Sequence, residues 1–332
     1  MKRLPVIAGL LGLALAIYLI LRQGVAPILA SLDRAGWALL WLIPYHLFPL
    51  LLDAAGWRVL LRPDDAAHRA RLPFLLWVAT VREAVNRLLP VASVGGELLG
   101  IRLVMRRGLP GPEVSASVVV EVLLTLVSQY LFTALGLALM VELLQHTPVG
   151  DALWLGLLAS LPVPILFFLV LRHGRLFSRV ERLALHLLGD DHRLTALLGG
   201  AAALDARLHA LFARPLLLTR ALAWQLAGMI AGSVETWFVL HLFGAPVSAW
   251  EALTIESLTL ALRHFAFFVP GGIGVQEGGF ILFGHLLGLS ADLAVALSLA
   301  KRLREIGFGL PALASWQWLE FRRLRSGTPG SA

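Results

Sequence analysis

Apolar runs of roughly membrane-span length recur along this chain, separated by short stretches that are either rich in arginine or free of it. A helix needs about 20 mostly apolar residues to cross a bilayer core. Runs at 4–21, 37–61, 113–141, 152–171, 215–242 and 293–321 meet that requirement and predict six full spans. Two further segments break in the middle. Arms 73–89 and 91–105 join at Pro90, and arms 251–269 and 271–287 join at Pro270. Each arm is short for a span and carries charges, so each pair reads as a re-entrant helical hairpin, although two short spans would fit the same pattern. Backbone polar groups in lipid must be satisfied within their own segment, which makes the expected fold all-α.

The connections supply an orientation. Lysine and arginine cluster at 2–3, 58–71, 102–107, 172–220 and 322–325, whereas 142–151, 243–250 and 288–292 contain neither. Basic loops stay in the cytoplasm. That rule places both termini inside, brings the first hairpin in from the cytoplasmic face and the second from the outer face. The first run begins like a secretory signal, but no small-x-small cleavage site follows Leu21, so it is read as an uncleaved helix. Within 172–214, Leu176, Val180, Leu183, Leu187 and Leu188 recur at helical spacing, which predicts amphipathic helices on the cytoplasmic surface.

Composition agrees and narrows the class. The 332 residues are 58% hydrophobic and 15% charged, with a mean hydropathy of +0.80, too apolar for a soluble globular chain. The chain is therefore expected to be one membrane domain over 1–332. Cysteine is absent, which excludes disulfides, thiolate catalysis and Cys-ligated metal sites. The net charge of +7 is accounted for by the orienting loops, so no nucleic-acid partner is expected. Tryptophans such as Trp37, Trp41, Trp250, Trp316 and Trp318 suit interfacial belts.

Shifting the chain by 180 positions lays one hairpin over the other without a gap. Pro90-Val-Ala-Ser-Val-Gly-Gly-Glu97 falls on Pro270-Gly-Gly-Ile-Gly-Val-Gln-Glu277, and charged Glu121 falls on charged Lys301. The repeats, about 73–141 and 251–321, are separated by an odd number of predicted spans, so they are inverted relative to each other. Inverted repeats with broken helices are a common transporter architecture, with substrate bound between them near midplane.

Ionisable residues at membrane depth cost about 2.5–3.5 kcal/mol each on insertion scales and usually face a cavity or a partner. The candidates for a substrate site are Arg82, Arg87, Glu97, Arg263, Gln276, Glu277, Lys301, Arg302, Arg304 and Glu305. Glu83, Asn86, Glu121, Gln129, Glu235, Glu256 and His264 are further polar groups in apolar surroundings. A purely structural reading stands beside this one. Glu83 with Arg87, and Lys301 with Glu305, are four apart and can neutralise each other on one helix face, while Arg82 and Arg87 can snorkel to the interface. The turns Pro90, Gly95, Gly96 and Pro270, Gly271, Gly272, Gly274 permit tight bends, and they also leave backbone N–H groups free for a headgroup. The remaining histidines, His46 among them, are scattered without a ligand pattern, so neither a metal nor a cofactor is expected.

Three stretches carry a family likeness: Arg82-Glu-Ala-Val-Asn-Arg-Leu-Leu-Pro-Val-Ala-Ser-Val-Gly-Gly-Glu97, Phe268-Val-Pro-Gly-Gly-Ile-Gly-Val-Gln-Glu-Gly-Gly279 and Ser298-Leu-Ala-Lys-Arg-Leu-Arg-Glu305. They resemble the transmembrane region of lysylphosphatidylglycerol synthases, a flippase-like membrane family, and most closely its stand-alone HpnL-like members found with hopanoid biosynthesis. The resemblance implies a multi-pass bacterial inner-membrane protein with two re-entrant hairpins that moves or binds a membrane lipid, a phospholipid or a hopanoid. Full synthases add a soluble aminoacyl-transfer domain. This chain runs only about a dozen residues past its last predicted helix, so the transport half without enzymatic activity is the expectation. Two other readings are an accessory protein that holds lipid for a biosynthetic enzyme, and an intramembrane transferase with Glu277 as base.

Overall fold

The computed structural model describes residues 13–15, 17–22, 24–89, 95–144, 152, 154–156, 158–159, 161–173, 201–266 and 269–325. Most of the expected first span, the Pro90 turn with Ser93 and Val94, Phe268, and positions 174–200 of the amphipathic segment lie outside the described residues. Every regular element among the described residues is helical.

In chain order the helices are α1 (Val25–Ala35), α2 (Leu42–Leu61), α3 (Leu72–Leu88), α4 (Gly95–Met105), α5 (Gly111–Leu144), α6 (Pro162–His173), α7 (Ala201–Phe212), α8 (Pro215–Leu242), α9 (Ala249–Phe265), α10 (Val275–Leu286) and α11 (Ala291–Arg325). Three helical segments among the described residues are long and apolar enough to cross a bilayer: Val25–Asp64, Gly111–Leu143 and Pro215–Leu242. The first is α1 and α2 joined through a short tight helix at Gly36–Trp41. Helix α1 was not expected, because Pro27, Ser31, Asp33 and Arg34 interrupt its apolar run. It forms by burying Ile28, Ser31 and Ala35, and Arg34 donates from Nη1 to the Phe243 carbonyl oxygen at 2.7 Å just past the end of α8.

Helix lengths bear on the two hairpins. At about 1.5 Å per residue, the 11 residues of α4 and the 12 of α10 reach only about 17–18 Å. A hydrocarbon core is about 30 Å thick. By contrast α11, with 35 residues, is long enough to cross, and it falls outside the apolar spans because of its own charged run. Large apolar side chains are exposed on many helices, among them Trp37, Phe265, Leu166, Leu216 and Leu303. A water-facing surface rarely shows so many, so the chain is a membrane protein by its surface as well as by its composition.

The chain divides into two compact units. One comprises 1–50, 76–100 and 231–332, and the other 51–75 and 101–230. In the first, α9 packs on α10, α10 on α11 and α11 on α1. Its apolar core includes Ile28, Leu42, Val239, Leu240, Phe243, Ile255, Phe280, Val295 and Leu297. Helix α9 starts at a capping box: Ser248 Oγ accepts from the Glu251 amide, and the Glu251 carboxylate accepts from the Ser248 amide at 2.7 Å. In the second unit, α7 packs on α5 and α6, around Leu60, Val120, Leu123, Leu208, Leu211 and Phe212. Arg207 of α7 ties this unit together, pairing with Glu113 at 2.6 Å and Asp64 at 3.2 Å.

Glycine does specific work where the two arms of the first hairpin meet. A Cβ on Gly96 would run into the Arg82 carbonyl oxygen and lie 2.8 Å from the Asn86 amide. Backbone cannot yield as a side chain can. Gly96→Ala should therefore cost about 1–3 kcal/mol of overpacking. Gly309→Ala should cost less, since the one severe contact of its Cβ is with Leu88 Cδ1, at 2.6 Å, the far end of a flexible side chain. Thermal unfolding of the two variants in detergent checks the order; equal stabilities would show that the arms can separate freely.

Candidate functional site

The buried charges of the first unit converge from six helices. Six carboxylates, Glu83, Glu97, Glu235, Glu256, Glu277 and Glu305, pair with six permanent cations, Arg82, Arg87, Arg263, Lys301, Arg302 and Arg304. All ten side chains proposed as substrate-binding lie in this unit, and the structure sorts nine of them into three neighbourhoods, with Lys301 paired apart from these.

The first lies inside the first hairpin. Arg82 Nη2 lies 3.5 Å from Glu97 Oε1, and Asn86 Nδ2 donates to both Glu97 oxygens at 3.1 and 3.2 Å. Asn86 Oδ1 accepts from the Gly96 amide at 2.9 Å, satisfying an N–H at the start of α4 that the helix cannot. Arg82 is 9% exposed, so it does not snorkel to the interface as one reading expected.

The second surrounds the turn between α9 and α10. Gly271, Gly272 and Gly274 have φ of 62°, 60° and 81°, in the left-handed region where a side chain is strained. This conformation sets the turn beneath two guanidinium groups. Arg302 Nη1 donates to the Gly271 carbonyl oxygen at 2.7 Å, and its Nε lies 3.4 Å from Glu277. Arg263 donates to Gln276 Oε1. Gln276 in turn donates to Ser298 Oγ at 2.9 Å, and Ser298 donates to Glu277 at 2.8 Å. The other Glu277 oxygen accepts from the Gly274 amide at 2.7 Å, holding the first turn of α10. Glu305 completes the neighbourhood between three cations: Arg302 at 3.1 Å, Arg263 at 3.6 Å and Arg87 at 3.9 Å. Among the described residues, Nη2 of Arg263 and Nη2 of Arg302 are buried without a hydrogen-bond partner.

The third is centred on a residue the sequence did not single out. His46, on α2, has Nδ1 2.9 Å from Glu235 and Nε2 2.8 Å from Glu83. Arg304 Nη1 sits beside both ring nitrogens, 2.5 Å from Nδ1 and 2.7 Å from Nε2, and Arg304 Nη2 lies 3.7 Å from Glu235. Histidine between two carboxylates invites a metal reading. However, a guanidinium occupies the position beside the ring, and no group of three ligating side chains with metal geometry occurs among the described residues. A narrow cleft opens here, lined by His46, Glu83, Arg87, Arg304, Glu305 and Phe308.

One expected pairing is replaced. Lys301 does not neutralise Glu305 on its own helix; it donates to Glu256 of α9 at 2.7 Å, and Thr236 donates to the same carboxylate oxygen at 2.6 Å. Glu83 and Arg87 do pair along α3, at 3.7 Å. Among the described residues His264 bonds its own helix, at the Leu260 carbonyl oxygen. Glu121 and Gln129 belong to the other unit. There Gln225 donates to the Glu121 carbonyl oxygen, and Gln129 donates to Thr133. Sequence spacing missed His46 because its partners lie 37, 189 and 258 positions away.

No curated protein matches the chain, and no solved structure does. The model of the lysylphosphatidylglycerol synthase TM region matches residues 6–312. That match spans most of the sequence, and the chain belongs to the lysylphosphatidylglycerol synthase transmembrane-region family, a membrane family linked to lipid handling.

Proposed function

We propose that this protein is a flippase-like lipid transporter of the bacterial inner membrane, moving a lipid with a polar or anionic headgroup without chemically changing it. The observation that carries the reading is the buried Arg302 Nη2, without a hydrogen-bond partner among the described residues, together with Arg263 Nη2, whose carboxylate partner Glu305 stands off at 3.6 Å, both beside the glycine turn at 271–274. Buried N–H groups of a cation without a hydrogen-bond partner cost free energy, and a phosphate or hydroxyl-bearing headgroup supplies the missing acceptors. A hopanoid headgroup offers hydroxyls and a phospholipid offers phosphate; membrane lipid of either kind is the partner, with enzymes of lipid or hopanoid biosynthesis as suppliers.

The same reading gives the chain six spans and two re-entrant hairpins in an inverted repeat, with both termini cytoplasmic. The short α4 and α10 support the hairpins. Positions 83 and 263, and 97 and 277, are related by the same offset of 180 and all carry charges that enter the network. Rocking of two such repeats would expose a headgroup first to one face and then to the other.

Proteoliposomes containing a fluorescent, headgroup-labelled phospholipid test this directly. A membrane-impermeant quencher should reach more label than the outer-leaflet share when the protein is present. Label confined to the outer-leaflet share, with or without an ion gradient, would refute transport.

A further inference from the structure

We infer that His46, Glu83 and Glu235 together hold one exchangeable proton, and that this proton is the coupling ion for the headgroup site. The inference rests on the lipid-transport reading for its purpose and on geometry for its site. Carboxylates accept hydrogen bonds and do not donate them. Nδ1 of His46 faces Glu235 at 2.9 Å, and Nε2 faces Glu83 at 2.8 Å. Both contacts are hydrogen bonds only if the ring carries protons on both nitrogens, or if one carboxyl group holds the second proton. Either way the trio binds one proton more than a neutral imidazole between two carboxylates.

The surroundings provide a second arrangement for the deprotonated state. The groups facing the ring are Glu83 from α3, Glu235 from α8, and Arg304 with Phe308 from α11. Beyond them, Arg87 pairs with Glu83, and Glu305 lines the same cleft. Next to the ring on α2 itself, Tyr45 spends its hydroxyl on the Ala231 carbonyl oxygen at 2.9 Å. When the proton leaves, one ring nitrogen becomes an acceptor facing a carboxylate, which is repulsive. Arg304 Nη1, 2.5 Å from Nδ1 and 2.7 Å from Nε2, is placed to donate to whichever ring nitrogen has lost its proton. Arg304 Nε, buried and without a hydrogen-bond partner among the described residues, leaves the guanidinium room to re-pair. The site is thus a two-position element whose setting is chosen by one proton.

Charge links it to the lipid. With His46 neutral, the six carboxylates and six cations of the buried network cancel. An anionic headgroup entering this balanced network leaves it one negative charge in excess, and a proton on the trio restores neutrality. Glu305 provides the physical connection, since it lines the His46 cleft and also pairs with Arg263 and Arg302 at the glycine turn. Linkage is reciprocal: if protonation favours anion binding, anion binding must draw in a proton. A zwitterionic headgroup brings no net charge and needs none.

Calorimetric titration of the full-length protein in detergent, in two buffers of different ionisation enthalpy, counts protons taken up per lipid bound. The probes are short-chain phosphatidylglycerol, which is anionic, and short-chain phosphatidylcholine, which is zwitterionic. In the range where histidine titrates, near pH 5–8, phosphatidylglycerol should bind with uptake approaching about one proton, and phosphatidylcholine with none. His46→Gln should abolish the uptake, and Glu83→Gln should lower it. Phosphatidylglycerol binding without uptake in the wild type, or with undiminished uptake in H46Q, overturns the proton site and leaves lipid transport standing. Failure of both lipids to bind refutes the headgroup site itself and the coupling with it. Should the variants not fold, the wild-type ring nitrogens still decide the matter by NMR. A histidine that is doubly protonated at low pH and loses one proton as pH rises, with its signal shifted by added phosphatidylglycerol, supports the site; no histidine signal that both titrates and responds to lipid overturns it.

Discussion

Glu305→Gln should destabilise the protein by about 3–5 kcal/mol, more than any other single replacement of a carboxylate in the network. Glu305 is 6% exposed and lies between Arg302, Arg263 and Arg87 at 3.1, 3.6 and 3.9 Å. Glutamine preserves shape and volume, so the loss isolates charge. Three guanidinium groups would then share a buried space with one compensating carboxylate fewer. Removing one partner of a buried pair is costly because the remaining charge stays desolvated. Exposed Glu142 near the end of α5 is the control, and Glu142→Gln should change stability by no more than about 0.5 kcal/mol. Unfolding in detergent followed by tryptophan fluorescence gives both values. If E305Q unfolds like wild type, the three arginines find other acceptors and the network is less tightly determined than its geometry implies.

The scale of the network explains why so many partners are needed. Twelve charges placed unpaired at membrane depth, at about 2.5–3.5 kcal/mol each, would cost on the order of 30–40 kcal/mol. Net folding stability is only about 5–15 kcal/mol. Pairing is therefore a condition for folding and by itself says nothing about transport. What separates this unit from a merely neutralised core is what pairing leaves over: a buried donor on Arg302 without an acceptor among the described residues, an Arg263 Nη2 held 3.6 Å from its carboxylate, and a histidine facing a carboxylate at each ring nitrogen.

Sequence reading reached the elements more surely than the contacts. Span-length apolar runs identify α5 to within three residues and α8 to the residue, the latter since Pro215 opens the helix where the ring's missing N–H costs nothing. The charged run 301–305 stood out because ionisable residues in an apolar helix are rare. Which partner each charge takes depends on how helices rotate against one another, and that is not written in local spacing. Lys301 illustrates the point, since Glu305 lies one turn away and Glu256 on α9 holds it instead. His46 illustrates it further. Alone in an apolar run it is indistinguishable from a packed histidine, and only the approach of α3, α8 and α11 makes it a hub. Helix α1 was hidden for another reason: Pro27, Ser31, Asp33 and Arg34 break its apolar run, and the stripe it buries, Ile28, Ser31 and Ala35, is too short and too polar to stand out as a span.

Arg302→Lys should keep the protein folded and reduce lipid movement at least about tenfold. Lysine retains the positive charge, so the electrostatic balance with Glu277 and Glu305 survives. It cannot reproduce the fork. Arg302 uses Nη1 for the Gly271 carbonyl oxygen and Glu305 while Nε lies toward Glu277, tying α11 to the turn and to α10 at once. A single ammonium at the end of a flexible chain holds one of these acceptors at a time. A charge-assisted hydrogen bond contributes about 1.5–3 kcal/mol, and each 1.4 kcal/mol is a factor of about ten. A turn released from Arg302 therefore loses its working position by at least that factor, provided headgroup passage requires the turn to be held. The decisive comparison sets the melting temperature of R302K in detergent against its activity in proteoliposomes. A wild-type melting temperature with strongly reduced lipid movement places the guanidinium in the transport path. Wild-type activity from R302K would remove the glycine turn from that path and leave its charges with a structural role alone.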